Sequence, residues 1–246
     1  MTQAATLYPL IGNQSVGNWW TPDTTQRHTL GTVISSVDPY WGGQELIYLS
    51  YSFTNGTALQ TGAVLAYDTA SSFAATLVAN TANLGKSVAF SLNSIPSTFT
   101  TGTYYIWAVI SGQCPVWSNA SVAANTGLGI VAAGQAGAQA AGKQIVNARV
   151  TLPATTTVAK SNTVTQNGTK NLFVPNADGW FVGCSISGTG ITTSLVTSID
   201  PNNRLVTVAS NSSATGAVTA TATYNDATNF FNIVTCDRPF VQGAIT

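Results

Sequence analysis

One histidine, three cysteines and a thin scatter of carboxylates are all that this 246-residue sequence offers for acid–base, nucleophilic or metal chemistry. A Ser-His-Asp or Cys-His device would have to use His28, because activating a nucleophile needs an imidazole within hydrogen-bond reach of it. His28 lies in TTQRHTL, a Thr/Gln/Arg setting in which a solvated or packed ring is the ordinary role. Cys114, Cys184 and Cys236 are odd in number and far apart, which fits neither a disulfide framework nor a paired zinc knuckle. Buried free thiols, in a protein made in a reducing cytoplasm, are expected instead. A metal centre needs several His, Cys or carboxylate groups together, and Asp237 beside Cys236 is as near as the sequence comes.

The short motifs fail on spacing or context. GCSIS at 183–187 misses the G-x-S-x-G elbow at its last position, and GLGIVAAG at 127–134 misses the dinucleotide fingerprint and lacks a βαβ setting. Paired carboxylates for glycoside hydrolysis would have to come from Glu45 and scattered Asp residues that meet only in the fold. Asp38 and Asp200 each precede a proline, which is turn chemistry. No catalytic residue, metal or cofactor is therefore assigned, and the chain is not expected to be an enzyme.

The elements that would position any site are short strands. Residues 1–28 place Tyr8, Trp19 and Trp20 among Pro, Gly, Asn and Gln with no sustained period, and read as an extended N-terminal arm. From Thr29 onward, runs rich in β-branched residues recur between turn signals: TLGTVIS, ELIYLSYSF, GAVLAYD, KSVAFSL, TYYIWAVI and, later, QIVNARVTL. This spacing predicts an all-β sandwich or barrel. AANTGLGIVAAGQAGAQAAGK at 123–143 is low in complexity, and its interior glycines disfavour a helix, so it reads as a loop with at most a helical turn. KNLFV, GWFVGCSISG, TSLVTSID, RLVTVAS and AVTATATY suggest a second, smaller unit, with Asp200-Pro201-Asn202-Asn203 as a turn. NFFNIVTCDRPF resembles the first unit again. The expected organisation is an arm at 1–28, a main β domain at 29–153 plus 226–246, and an inserted β module at 154–225.

Charged residues are 7% of the chain, against about a quarter in ordinary soluble domains, and eight Lys/Arg balance eight Asp/Glu. A neutral surface without a basic cluster lacks the electrostatic attraction on which nucleic-acid binding depends. No stretch of about 20 apolar residues is present to span a bilayer as a helix, and MTQAATLYPLIGNQSVG has none of the basic residues of a secretory leader. Neither nucleic acid nor membrane is expected as a partner. A surface so poor in charge does little to keep copies apart, which favours work inside an assembly.

Aromatic side chains carry the remaining signal. GNWW at 17–20 and PYWGG at 39–43 set Trp19, Trp20, Tyr40 and Trp41 beside Gly and Pro, in arm and loop contexts. GTYYIWAVISGQCPVW at 102–117 puts Tyr104 and Ile106 on one face of a strand and Tyr105 and Trp107 on the other, so neither face suits water. Trp117 follows. Core packing competes with interface formation for all of these, since large aromatics dominate both.

Residues 29–68, TLGTVISSVDPYWGGQELIYLSYSFTNGTALQTGAVLAYD, resemble the N-terminal part of capsid decoration (cement) proteins of tailed bacteriophages. The resemblance continues through KSVAFSLNSI, GTYYIWAVISGQCPVW and the Ala/Gly-rich tract to Arg238-Pro239-Phe240, while SGTGITTSLVTSIDPNNRLVTVASNSSATGAVTATATY is similar to a small β module of phage structural proteins. It implies a virion protein on the outer surface of the capsid, made in the host cytoplasm, with the major capsid protein and its own copies, as a homotrimer, for partners. Arg238 and Phe240 join the aromatic candidates on this ground. Two rivals stay open: a head-fibre or tail component that presents the inserted module to host glycans, and a carbohydrate-acting or lectin-like protein using Trp41 or Trp117 as sugar platforms.

Overall fold

The computed structural model of the protein describes residues 22–38, 40–56, 58–200 and 204–244. The chain is all-β, and no helix occurs among the described residues. In order, the strands are β1 (Val33–Asp38), β2 (Gly42–Phe53), β3 (Val64–Ala66), β4 (Ala74–Leu77), β5 (Val88–Ser91), β6 (Gly102–Ser118), β7 (Gly127–Ala132), β8 (Gln135–Ala138) and β9 (Gln144–Leu152). There follow β10 (Thr157–Thr165), β11 (Asn171–Phe173), β12 (Ser185–Gly188), β13 (Ile191–Asp200), β14 (Leu205–Val208), β15 (Gly216–Thr223) and β16 (Phe230–Val241).

Two hydrogen-bonded systems result. Ten strands form a large sheet in the order β1-β2-β4-β3-β5-β6-β16-β9-β7-β8, in which β2 and β6 also pair and β6 touches β8. The other six close into a barrel, β10-β11-β14-β13-β12-β15. Chain order explains the layout. The barrel strands lie between β9 and β16, and β16 returns to pair antiparallel with both β6 and β9.

The antiparallel pair β2 and β6 is the spine of the large sheet, aligned from Glu45 opposite Ser111 to Phe53 opposite Gly102. Alternation sends Leu46, Tyr48, Trp107 and Val109 into one core, and Ile47, Leu49, Phe53, Tyr104, Ile106 and Ile110 into another. Both faces of TYYIWAVI are therefore apolar because folding within one chain covers both. A third core fills the barrel and takes in Phe231 and Ile233 from β16.

Backbone demands are met at two informative places. Gly62 has φ +74°, and a Cβ there would lie 2.6 Å from the Pro115 carbonyl oxygen, so the segment before β3 runs against the backbone of β6 at a glycine. The buried Asn232 side chain accepts the N–H groups of Val122 (2.9 Å) and Ala154 (3.0 Å) and donates to the Ala120 carbonyl (3.0 Å). It thereby satisfies loop backbone that would otherwise be buried without partners.

Residues 123–143 depart from expectation. They contain the β7–β8 hairpin, and β7 pairs further with β9. Glycine, unfavourable in a helix, is useful here: Gly129 sits opposite Gly137, and a Cβ on Gly137 would lie 2.7 Å from Val131 Cγ1. Strands β4 and β10 were also invisible as strand-like runs. Residues 201–203 of the expected turn lie outside the described residues; the flanking β13 and β14 pair as a hairpin.

Candidate interaction surface

Tyr8, Trp19 and Trp20 fall outside the described residues. The chain just after them is held in place: Asp23 and Tyr105 exchange backbone hydrogen bonds of 2.8 Å in both directions. The Tyr48 hydroxyl donates to Asp23 Oδ2 (3.1 Å) and accepts the Arg27 N–H (3.2 Å), while Arg27 pairs with Asp23 at 2.8 Å. Burial is the main cause that pushes the Tyr48 phenol up to about 12. His28 packs edge-on to Tyr48 (5.2 Å between centroids) and against Trp107 (5.4 Å), so the lone histidine belongs to an aromatic clasp. Trp107 is buried within it, and Tyr105 is half-buried against Tyr48.

The tip of the β1–β2 hairpin is where the large sheet meets the barrel. Asp38 Oδ1 accepts the N–H groups of Tyr40 (2.7 Å) and Trp41 (2.8 Å), which shapes the turn. Burial raises the Asp38 carboxyl above its ordinary range, and the Asp178 charge adds to the shift, against the lowering effect of those two hydrogen bonds. Trp41 packs on Phe181 at 5.9 Å. Tyr40 lies over Gly179, where a Cβ would come within 3.0 Å of its ring, yet Tyr40 stays 45% exposed. Trp117 is half-buried; its Nε1 donates to Asn229 Oδ1 at 3.1 Å, and its ring packs against both the barrel core and the spine.

On β16, Asp237, Arg238 and Pro239 bulge opposite Asn147 alone, because the register jumps from Cys236 opposite Ala148 to Phe240 opposite Val146. Arg238 and Asn147 both take left-handed conformations there (φ 47° and 60°). Arg238 reaches Glu45 at 2.5 Å in an exposed ion pair, and Phe240 is also exposed. A shallow groove of about 430 Å³ opens beside the bulge, lined by Asn147, Ala148, Arg149, Thr235, Cys236 and Asp237.

Two further exposed sets were not singled out from sequence. Val33 and Val37 project from β1, and Val164 and Phe173 project from the barrel. The barrel pair belongs to a row across four neighbouring strands, Ala217, Val164, Phe173 and Leu205, each directly opposite the next. The signal for this row was in VTQNGTKNLF, whose Asn-Gly turn sets Val164 against Phe173.

All three cysteines are free and buried. Burial pushes the Cys184 thiol up to about 12 and raises Cys114 strongly, with Cys236 hydrogen-bonded beside it, so the Cys184 and Cys114 thiols are poor nucleophiles. Among the described residues no group of three His, Cys, Asp or Glu side chains gathers to hold a metal ion. No protein-family model, curated protein or solved structure matches this chain.

Proposed function

We propose that this chain is a virion structural protein of a tailed bacteriophage, a decoration protein that binds the outer surface of the head and stabilises contacts between capsomers. The observation that carries this reading is the surface of the segment resembling that family. Val33, Val37 and Tyr40 are all exposed along β1 and its hairpin, on a chain with only 7% charged residues. Apolar side chains set in a neutral surface favour burial against another protein, and repeated copies on a shell add their weak contacts together. The major capsid protein and sister copies, as a trimer, are the partners this implies, with a structural rather than a catalytic role.

The test mixes the purified protein with heads that lack it and measures co-sedimentation and resistance of the heads to heat. Stoichiometric binding with a raised disruption temperature is expected; heads that sediment bare would overturn the proposal. Removing residues 2–21 leaves the Asp23–Tyr105 bridge intact and asks what the N-terminal segment adds. The apolar row on the barrel favours a second reading, a head-fibre or tail component that shows the barrel to host glycans. Glycan-array binding abolished by Phe173→Ala would select it.

A further inference from the structure

Among the described residues, β1 pairs with β2 alone and forms one end of the large sheet. Its free edge carries the usual guards in small measure: no Lys, no bulge and no charge before Asp38, whose carboxylate is turned into the hairpin tip. The ladder fixes which groups face outward. The Tyr48 N–H donates to the Thr32 carbonyl, so even-numbered residues of β1 bond toward β2, and the N–H and C=O groups of Val33, Ser35 and Val37 point away from it. The same three residues put their side chains on the exposed face, while Ile34 and Ser36 turn inward and are buried.

We propose that this edge joins the β1 edge of a second copy, antiparallel about a two-fold axis midway between the two Ser35 residues. A two-fold interface must match itself, since one patch supplies both sides. The sequence of β1 does so. With Ser35 opposite Ser35 of the second copy, Val33 of each copy faces Val37 of the other, and Ile34 faces Ser36. Two Val–Val cross-strand pairs form on the open face, and the outward N–H and C=O groups of Val33, Ser35 and Val37 find partners. No like charges are opposed along the pair. Any foreign strand could use the same backbone groups, but the symmetric spacing of the two exposed valines about a small central residue suits a second β1 best. The contact links two molecules across a two-fold and is separate from any three-fold ring, and it stands independently of the capsid reading because it concerns the purified chain alone.

The experiment uses the full chain carrying Ser35→Cys and a short bifunctional thiol reagent, the native cysteines being buried. A covalent dimer is expected whose yield rises with protein concentration and falls about tenfold or more when Val37→Lys is added. In the chain without substitutions, amide exchange at Val33, Ser35 and Val37 should slow as concentration rises; this readout needs no variant to fold. Absence of a dimer at the highest soluble concentration overturns the proposal, as does a dimer indifferent to Val37→Lys. A cross-link that appears only after residues 2–21 are removed also overturns it, by showing that the chain's own N-terminal segment covers the edge. So does protection of these amides only in the presence of heads, which would make the occupant a capsid strand.

Discussion

Strands β6 and β10 invert each other's logic. In β6, tyrosine, isoleucine and tryptophan fill both faces because a core lies on each side. In β10, the hydropathy pattern is turned inside out: Thr163 and Thr165 are buried while Val164 between them is exposed. The hydroxyls make this possible. Thr163 Oγ1 donates to the Lys160 carbonyl (3.1 Å) across a bulge, and Thr165 Oγ1 donates to the Ala214 carbonyl (2.8 Å). A buried hydroxyl with a backbone carbonyl to donate to costs little. The difference teaches that a strand's side-chain chemistry reports the number of covered faces only where buried hydroxyls have no backbone carbonyl within reach.

The largest test of this contrast is Trp107→Ala, which empties the spine's core and should lower unfolding stability by about 3–5 kcal/mol in a denaturant titration. Next comes Thr165→Val, favourable on hydropathy alone but expected to cost about 1–2 kcal/mol, because it removes the hydrogen bonds from the Thr165 hydroxyl to the Ala214 (2.8 Å) and Gly216 (3.3 Å) carbonyls. A gain in stability there would break the comparison. A smaller effect should come from Asp38, at the joint between the two regions. Its folded-state pKa is raised above 3.8, so its contribution is fully present below that ordinary value and is lost as pH rises through the raised one. Asp38→Asn should remove this component, making stability less dependent on pH just above 3.8 when variant and parent are compared across a pH series. The smallest change is expected for Phe173→Thr on the barrel's exposed row, within about 0.5 kcal/mol by the same titration.

These cases also show what could be read from the sequence. The all-β class was legible because β-branched runs and turn residues alternate from Thr29 to the last strand, and the run TYYIWAVI announced a doubly covered strand. What covered its second face was not legible, since Leu49 and Ile106 lie far apart in the chain and meet only through long-range pairing. The β7–β8 hairpin was hidden by alanine and glycine, which mark close backbone approach as readily as a loop, and β10 by its inverted pattern. Of the candidate surface, Tyr40 and Phe240 are exposed, Trp107 is buried, and Trp41, Tyr105 and Trp117 are half-buried between elements. Composition does not distinguish a tryptophan that joins two parts of one molecule from one that joins two molecules.

The barrel begins and ends at one spot: Asn225 Nδ2 donates to the Ala154 carbonyl at 2.9 Å, and the Tyr224 N–H to the Thr156 carbonyl at 3.3 Å. Geometrically it could be exchanged for other cargo, as a fixture is swapped on a socket. The socket, however, is lined with Phe231 and Ile233, and Trp41 and Trp117 close over the same seam. Any graft must therefore arrive with an oily base of its own, or the platform left behind will adhere to whatever it meets first.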